Sequence, residues 1–185
     1  MDQMRKMTFV INLVDYFYYK NKIHMILEYC NGDNLQVYLD KLALIKKYLD
    51  FEEFKLIAWN VAQALHQMHN KNIIHRDIKQ LNVLLVKNQK GVMVDAKLCD
   101  FGLSKQTSMD CISVLGTPSY FSPELFELWL GNKSKYTNKV DVWSFGCLLF
   151  LMAYNIELFE FPANTRNKVC TDGIINFPDR KVWTE

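Results

Sequence analysis

No apolar run in this chain is long enough to cross a bilayer. The longest, Phe145 to Tyr154, is about half of the roughly 20 residues that a membrane-spanning helix needs, and it reads as a buried helix. The opening stretch, MDQMRKMTFV, has no cleavable apolar core of the secretory type. Charge is nearly balanced, with a formal net value of +2, so composition gives no reason to expect nucleic acid or an anionic membrane as partner. The five cysteines (Cys30, Cys99, Cys111, Cys147 and Cys170) are scattered, odd in number and free of any C-x-x-C pair. That pattern excludes a disulfide frame and a zinc site and implies reduced thiols in an intracellular protein. Internal repeats and low-complexity tracts are absent. What remains is the composition of one globular domain: 185 residues, 50% hydrophobic and 23% charged, with enough chain for a real core. The expectation is a soluble protein of the cytoplasm, with the nucleus also open to it.

Two aromatic and β-branched runs, residues 8–18 and 23–30, flank Tyr19-Lys20-Asn21-Lys22 and predict a β-hairpin. Asn31-Gly32-Asp33-Asn34 then reads as a turn into a short helix. From 51 to 69, apolar residues at Phe54, Ile57, Ala58, Val61, Leu65 and Met68 recur at helical spacing and give one buried face. Asp50 is placed to cap that helix, with Glu53 completing a capping box. His69, at its end, reads more readily as a hydrogen-bonded core histidine than as a ligand. Two short runs, 82–86 and 96–99, predict a second hairpin around the turn region 87–91. A polar loop spans 103–115, and a strongly apolar helix opens at Asp141. The last thirty residues are polar and rich in turns, with no regular element assigned.

The chemistry concentrates between these elements, in His75-Arg76-Asp77-Ile78-Lys79-Gln80-Leu81-Asn82 and in Asp100-Phe101-Gly102. One short loop offers a carboxylate, a cation and a neutral amide oxygen in fixed order, and a second acid follows eighteen residues past Asn82. If the second hairpin sets the two loops side by side, one acid faces a nucleophile and the other a metal. Phosphoryl transfer asks for that set. Either tripeptide alone is weak evidence. The interval from Asp77 to Asn82, then Asp100-Phe101-Gly102, then Ser122-Pro123-Glu124, then the Asp141 helix make chance a poor explanation.

In order and spacing these segments resemble the catalytic and metal-binding loops of eukaryotic protein kinases. The resemblance implies an α+β, protein-kinase-like fold: an N-lobe remnant over 1–27, a hinge over 28–34 and an incomplete helical C-lobe over 35–185. It implies that Asp77 orients the acceptor hydroxyl, positioning it more than deprotonating it, since a free carboxylate (pKa about 3.9) is a weak base for an alcohol. Lys79 would offset charge on the transferring phosphoryl group. Asn82 and Asp100 would hold Mg2+, a hard ion suited to oxygen ligands. ATP would sit against the hinge backbone at Glu28-Tyr29-Cys30, with Leu27 behind it. Leu84, Val83 and Leu35 would lie under the adenine, and Asn34, beside Asp33, takes the position that in the family often contacts the ribose. Leu13, His75 and Phe101 resemble members of a hydrophobic spine, and Asp141 would hold the His75 loop from below.

Lys79 two residues after Asp77, together with Gly116-Thr117, is similar to serine/threonine rather than tyrosine kinases, where this threonine bonds the aspartate and the lysine. The implied partner is a protein bearing a Ser/Thr acceptor. Gln80 stands where proline is common. Ser122 replaces a usual alanine, as also in NIMA-related kinases. Arg76 beside Asp77 implies control by a loop phosphate, added by an activating kinase or by autophosphorylation. Ser113 is the favoured acceptor, with Thr107 and Ser108 behind it. The competing role for Arg76 is pairing with a nearby carboxylate.

The sequence contains no G-x-G-x-x-G loop, no V-A-I-K-like lysine strand and no glutamate to pair with that lysine. Three readings therefore compete: a serine/threonine kinase represented in part, a non-catalytic kinase-like interaction module, and an inert fragment.

Overall fold

The computed structural model describes residues 7–106, 113–159, 175, 177 and 178. The chain opens with a two-stranded antiparallel ribbon, β1 (Leu13–Tyr19) and β2 (Lys22–Leu27), in register from Leu13↔Leu27 to Tyr19↔Lys22. Lys20 and Asn21 both take positive φ (46° and 58°), the geometry of a tight two-residue hairpin turn. The first strand is shorter than its sequence pattern, because residues 9–11 leave the ribbon to join the lower part of the molecule. There Ile11 N–H donates to the Leu98 carbonyl and Leu98 N–H to the Phe9 carbonyl, both at 2.9 Å.

Two helices follow, α1 (Leu35–Leu44) and α2 (Phe51–Asn70). Asn34 caps α1, its side chain accepting from Val37 N–H at 3.0 Å. Asp50 caps α2 through Glu53 N–H at 2.8 Å, as expected. The capping box stays one-sided, because Glu53 accepts the Tyr38 hydroxyl at 2.6 Å and ties α2 to α1 instead. Ile57, Val61, Ala64, Leu65 and Met68 line the buried face of α2, which packs on β5 and α4.

After β3 (Ile73–Ile74) and a 3-10 turn over Gln80–Asn82, β4 (Val83–Lys87) pairs antiparallel with β5 (Met93–Leu98). The second strand thus starts three residues before the run at Ala96. A further pair was not foreseen: β3 bonds β6 (Lys105–Gln106), a match too short to leave a periodic trace. A 3-10 turn over Pro118–Tyr120 leads to α3 (Pro123–Trp129), with proline in its first turn, and then α4 (Lys139–Tyr154). Helix α4 begins two residues ahead of Asp141 and ends at Asn155, in the left-handed conformation (φ 56°). The main core joins α2, α4, β4 and β5 through residues such as Ile57, Met68, Val83, Leu85, Leu98 and Leu148. Thr107, Ser108 and nearly all of the last twenty-six residues lie outside the described set.

Candidate active site

Strand β3 delivers the chain to His75, and α4 holds it there. Asp141, completely buried, accepts the backbone N–H of His75 at 2.9 Å and of Arg76 at 2.8 Å. The same carboxylate meets His69 Nε2 at 2.9 Å, so His69 is the hydrogen-bonded core histidine that its position implied. The turn this anchors is sharp: Arg76 sits at φ 71°, a conformation few side-chain-bearing residues adopt. Gly116, at φ 114°, passes so close to the Arg76 carbonyl that any Cβ there would collide with it.

The buried His75 ring has a defined tautomer. Its Nδ1 accepts Asp77 N–H at 3.3 Å, and its Nε2 faces the Cys99 carbonyl at 3.0 Å, so Nε2 carries the proton. Burial holds its pKa below the usual value, against the pull of Asp141, the Cys99 carbonyl, Asp77 and Asp100. Phe101 meets the ring edge-on at 5.2 Å, so two of the three expected spine residues are in contact.

Every polar atom of Asp77 is engaged. Thr117 Oγ1 donates to Oδ1 at 2.9 Å and accepts from Lys79 Nζ at 2.8 Å. Lys79 Nζ also lies 2.8 Å from Oδ2. Asn82 Nδ2 donates to Oδ2 at 3.0 Å and to the Asp77 carbonyl at 2.8 Å. An ammonium has three protons, so one N–H of Lys79 is left for a further acceptor.

Asp100 is brought to the same place by two bonds through its neighbour. Cys99 N–H donates to the Asn82 carbonyl at 2.9 Å, and the Cys99 carbonyl accepts from His75 Nε2 at 3.0 Å. Both Asp77 and Asp100 are therefore close enough to act on the charge of His75. Asp100 is exposed, left-handed at φ 63°, and accepts Gly102 N–H at 3.2 Å.

The family model described as "Protein kinase domain" matches residues 1–182. The chain belongs to the protein kinase family. Among similar proteins are the probable serine/threonine-protein kinase nek3 of Dictyostelium discoideum (35% identical, over 76% of this chain and 12% of that protein). The serine/threonine-protein kinase nekl-2 of Caenorhabditis elegans is 34% identical over 76% of this chain and 39% of its own length. The serine/threonine-protein kinase ATG1c of Arabidopsis thaliana is 33% identical over 76% of this chain and 18% of its own length. The chain thus spans between 12% and 39% of the length of these three relatives.

In kinase terms, the donor set fits a magnesium ion. Asn82 has spent its amide N–H groups on Asp77, which leaves Oδ1 to face a cation, and Asp100 adds an exposed carboxylate. Among the described residues no cluster of three or more His, Cys, Asp or Glu side chains forms a metal cage. Two oxygen ligands completed by phosphate and water are the usual habit of Mg2+.

Glu28 is held by donors from two other segments. Glu28 Oε1 accepts Asn12 N–H at 2.8 Å and Asn12 Nδ2 at 3.1 Å, and both carboxylate oxygens lie 2.8 Å from Lys97 Nζ on β5. Burial would raise the Glu28 pKa, yet these donors outweigh it and hold the group below its ordinary value. Leu27 is exposed. Leu84 is half-buried, whereas Val83 and Leu35 are fully buried. Asn34 uses its side-chain oxygen to cap α1, and Asp33 pairs with Lys41 at 2.6 Å, so both ribose candidates already have partners. Burial, then Glu28, raises the Cys30 pKa, while burial, Asp100 and Cys30 push Cys99 up to about 11. Both are poor nucleophiles near neutrality.

Arg76 bonds no carboxylate among the described residues. Its Nε donates to the Leu103 carbonyl at 2.5 Å, and one terminal nitrogen donates to Ser113 Oγ at 2.8 Å and to the Tyr136 hydroxyl at 3.1 Å. An apolar cavity of about 770 Å³ lies elsewhere, between α3 and α4, against Pro123, Trp143 and Phe150. Asn12, Lys97, Tyr136 and Tyr120 were not singled out by the sequence, and Gln80 had been given no role in it. Only Gln80, as a departure from proline, carried any signal.

Proposed function

We propose that the chain forms the hinge and much of the lower lobe of a serine/threonine protein kinase that moves the γ-phosphoryl group of ATP to a Ser or Thr hydroxyl of a protein. The observation that carries this is the Thr117 hydroxyl, bonded at once to Asp77 and Lys79. That bridge aims the carboxylate at an acceptor and keeps the ammonium beside the group being transferred. A chain without a phosphotransfer role has no physical need of Asp77, Lys79, Asn82 and Asp100 together.

Asp77 orients the acceptor oxygen and takes its proton late, and Lys79 offsets charge on the phosphoryl oxygens. Asn82 and Asp100 hold Mg2+, which supplies charge neutralisation to the phosphates. The adenine rests on Leu84 against the backbone of Glu28 to Cys30, and Asn34 lies near the ribose. Arg76 and Ser113 form the regulatory pair, loaded by an activating kinase or by autophosphorylation. No described helix is long and apolar enough to cross a membrane, and a cytoplasmic site of action, with access to the nucleus, suits this function.

The natural full-length protein, given Mg·ATP and a Ser/Thr peptide library, is expected to transfer phosphate, and Asp77→Asn is expected to remove at least 99% of the rate (roughly 10²-fold or more). Phosphotransfer that survives Asp77→Asn would sink the assignment. Exposure of every position of β2 favours a second reading, a kinase-like interaction module. That reading is supported if the full-length protein binds no Mg·ATP.

A further inference from the structure

Gln80 follows Lys79 directly, is 7% exposed, and makes two short hydrogen bonds in opposite directions. Its Oε1 accepts the Tyr120 hydroxyl at 2.6 Å, and its Nε2 donates to Gln36 Oε1 at 2.6 Å. Gln36 Nε2 donates onward to Asp40 Oδ1 at 2.8 Å. Tyr120 is a fixed donor: burial above all, with Glu157 and Cys147 adding to it, raises its pKa far beyond the ordinary tyrosine range. Four side chains thus form a one-way relay from Tyr120 through the catalytic loop to α1, each link polarising the next.

Lys79 and Gln80 end on the same short segment, Lys79 at Thr117 and Gln80 at Tyr120. That segment closes on itself through Tyr120 N–H and the Thr117 carbonyl at 2.9 Å. Just before it stands Gly116, the residue whose backbone turns most freely. A turn held at one end can pivot about such a residue, whereas one held at both ends cannot. Ser144 also grips the Tyr120 carbonyl, at 2.8 Å, but it belongs to α4. Gln80 ties Tyr120 directly to the loop that carries Asp77, whereas Ser144 does so only through α4 and Asp141.

We infer that Gln80 is a positioning residue: by holding Tyr120 it fixes Thr117 against Asp77, and so governs how the acceptor hydroxyl is met. The inference rests on the phosphotransfer reading above for its consequence, though not for its geometry. Its hydrogen bonds lead to α1 and to the 117–120 turn, and none goes to Asp100 or to the hinge.

The test uses the full-length protein with Gln80→Met, which keeps the length and loses both polar atoms, with Tyr120→Phe, and with the two combined. Each single change removes the bond between Tyr120 and Gln80 and is expected to lower kcat/KM for the acceptor peptide roughly three- to tenfold, the effect of that one shared hydrogen bond. The KM for ATP should move less than about twofold, since no bond to that side is touched. The double variant should be no worse than the weaker single one, because both remove one link. Hydrogen exchange at the amides of Tyr120 and Phe121 should quicken in both single variants while α2 is unchanged. Losses that multiply in the double variant, or exchange at Tyr120 and Phe121 that stays as in the wild type, overturn the inference. If the wild type transfers no phosphate, the functional reading has failed, and the exchange data alone decide the role of Gln80. If Gln80→Met does not fold, Tyr120→Phe carries the same readouts.

Discussion

Asn82 grips Asp77 twice, donating from one amide nitrogen to its carbonyl at 2.8 Å and to its carboxylate at 3.0 Å. The residue proposed to hold the metal is therefore also a clamp on the acid proposed to orient the acceptor. Asn82→Asp would replace a donor by a second carboxylate against Asp77, both residues being buried. Phosphotransfer should fall by at least about 10²-fold, and the midpoint of urea unfolding should drop by the equivalent of about 1–3 kcal/mol. Full activity in Asn82→Asp at any magnesium concentration would contradict both roles.

Asp141 gathers three donors on one buried carboxylate. Asp141→Asn turns an amide N–H group towards at least one of them, leaving buried groups unpaired. The expected loss is about 2–4 kcal/mol, read from denaturant unfolding. Because the turn at Arg76 is released, phosphotransfer should fall further than the folded fraction does.

The buried, neutral His75 makes stability depend on pH with a definite sign. Its folded pKa is lowered by burial, so the unfolded chain binds this proton more readily. Its contribution is complete above about pH 6.5, the unfolded value, and is lost as pH falls from there toward the folded pKa. The slope from this one group cannot exceed about 1.4 kcal/mol per pH unit. Unfolding midpoints between pH 7.5 and 5.5 should show it, and His75→Phe should flatten the curve. An unchanged slope in that variant would move the effect to another group.

Arg76 already touches the Ser113 oxygen that a phosphate would occupy. Phosphorylation of Ser113 replaces a neutral acceptor by a charged one and should stabilise the loop by about 1–2 kcal/mol, seen as a higher melting temperature. Arg76→Gln should erase that gain while leaving the modification itself in place.

The Glu28–Lys97 pair joins the segment just after β2 to the strand that leads into Asp100. Glu28→Lys and Lys97→Glu should each weaken Mg·ATP binding and cost about 1 kcal/mol of stability. The double exchange should recover part of both, by calorimetry and thermal unfolding. Additive losses would mean that the pair is incidental.

What the sequence reveals follows separation along the chain. Asp77, Lys79 and Asn82 lie within one loop, and the Asp50 cap within one helical turn, so residue type and spacing carried them. The Glu28–Lys97 pair and the Gln80–Tyr120 bond close across tens of residues, and nothing local distinguishes those side chains from solvated ones. Helix α3, seven residues long, is shorter than the window in which helical periodicity is visible. The first strand was overread because residues 9–11 are as apolar as a strand yet spend their hydrogen bonds on Leu98. Asp141 was legible only through its kinase motif, since a lone acid opening an apolar helix looks like an ordinary first-turn carboxylate.

The ribbon of β1 and β2 leaves Tyr18, Tyr19, Ile23 and Met25 facing water, with no third strand beside it among the described residues. Bare edges of this composition attract other backbones. How readily this polypeptide stays dispersed in a tube is therefore set far from the phosphate chemistry. A lysine at Tyr18 or Ile23 is a handle on solubility that leaves the Asp77 cluster untouched.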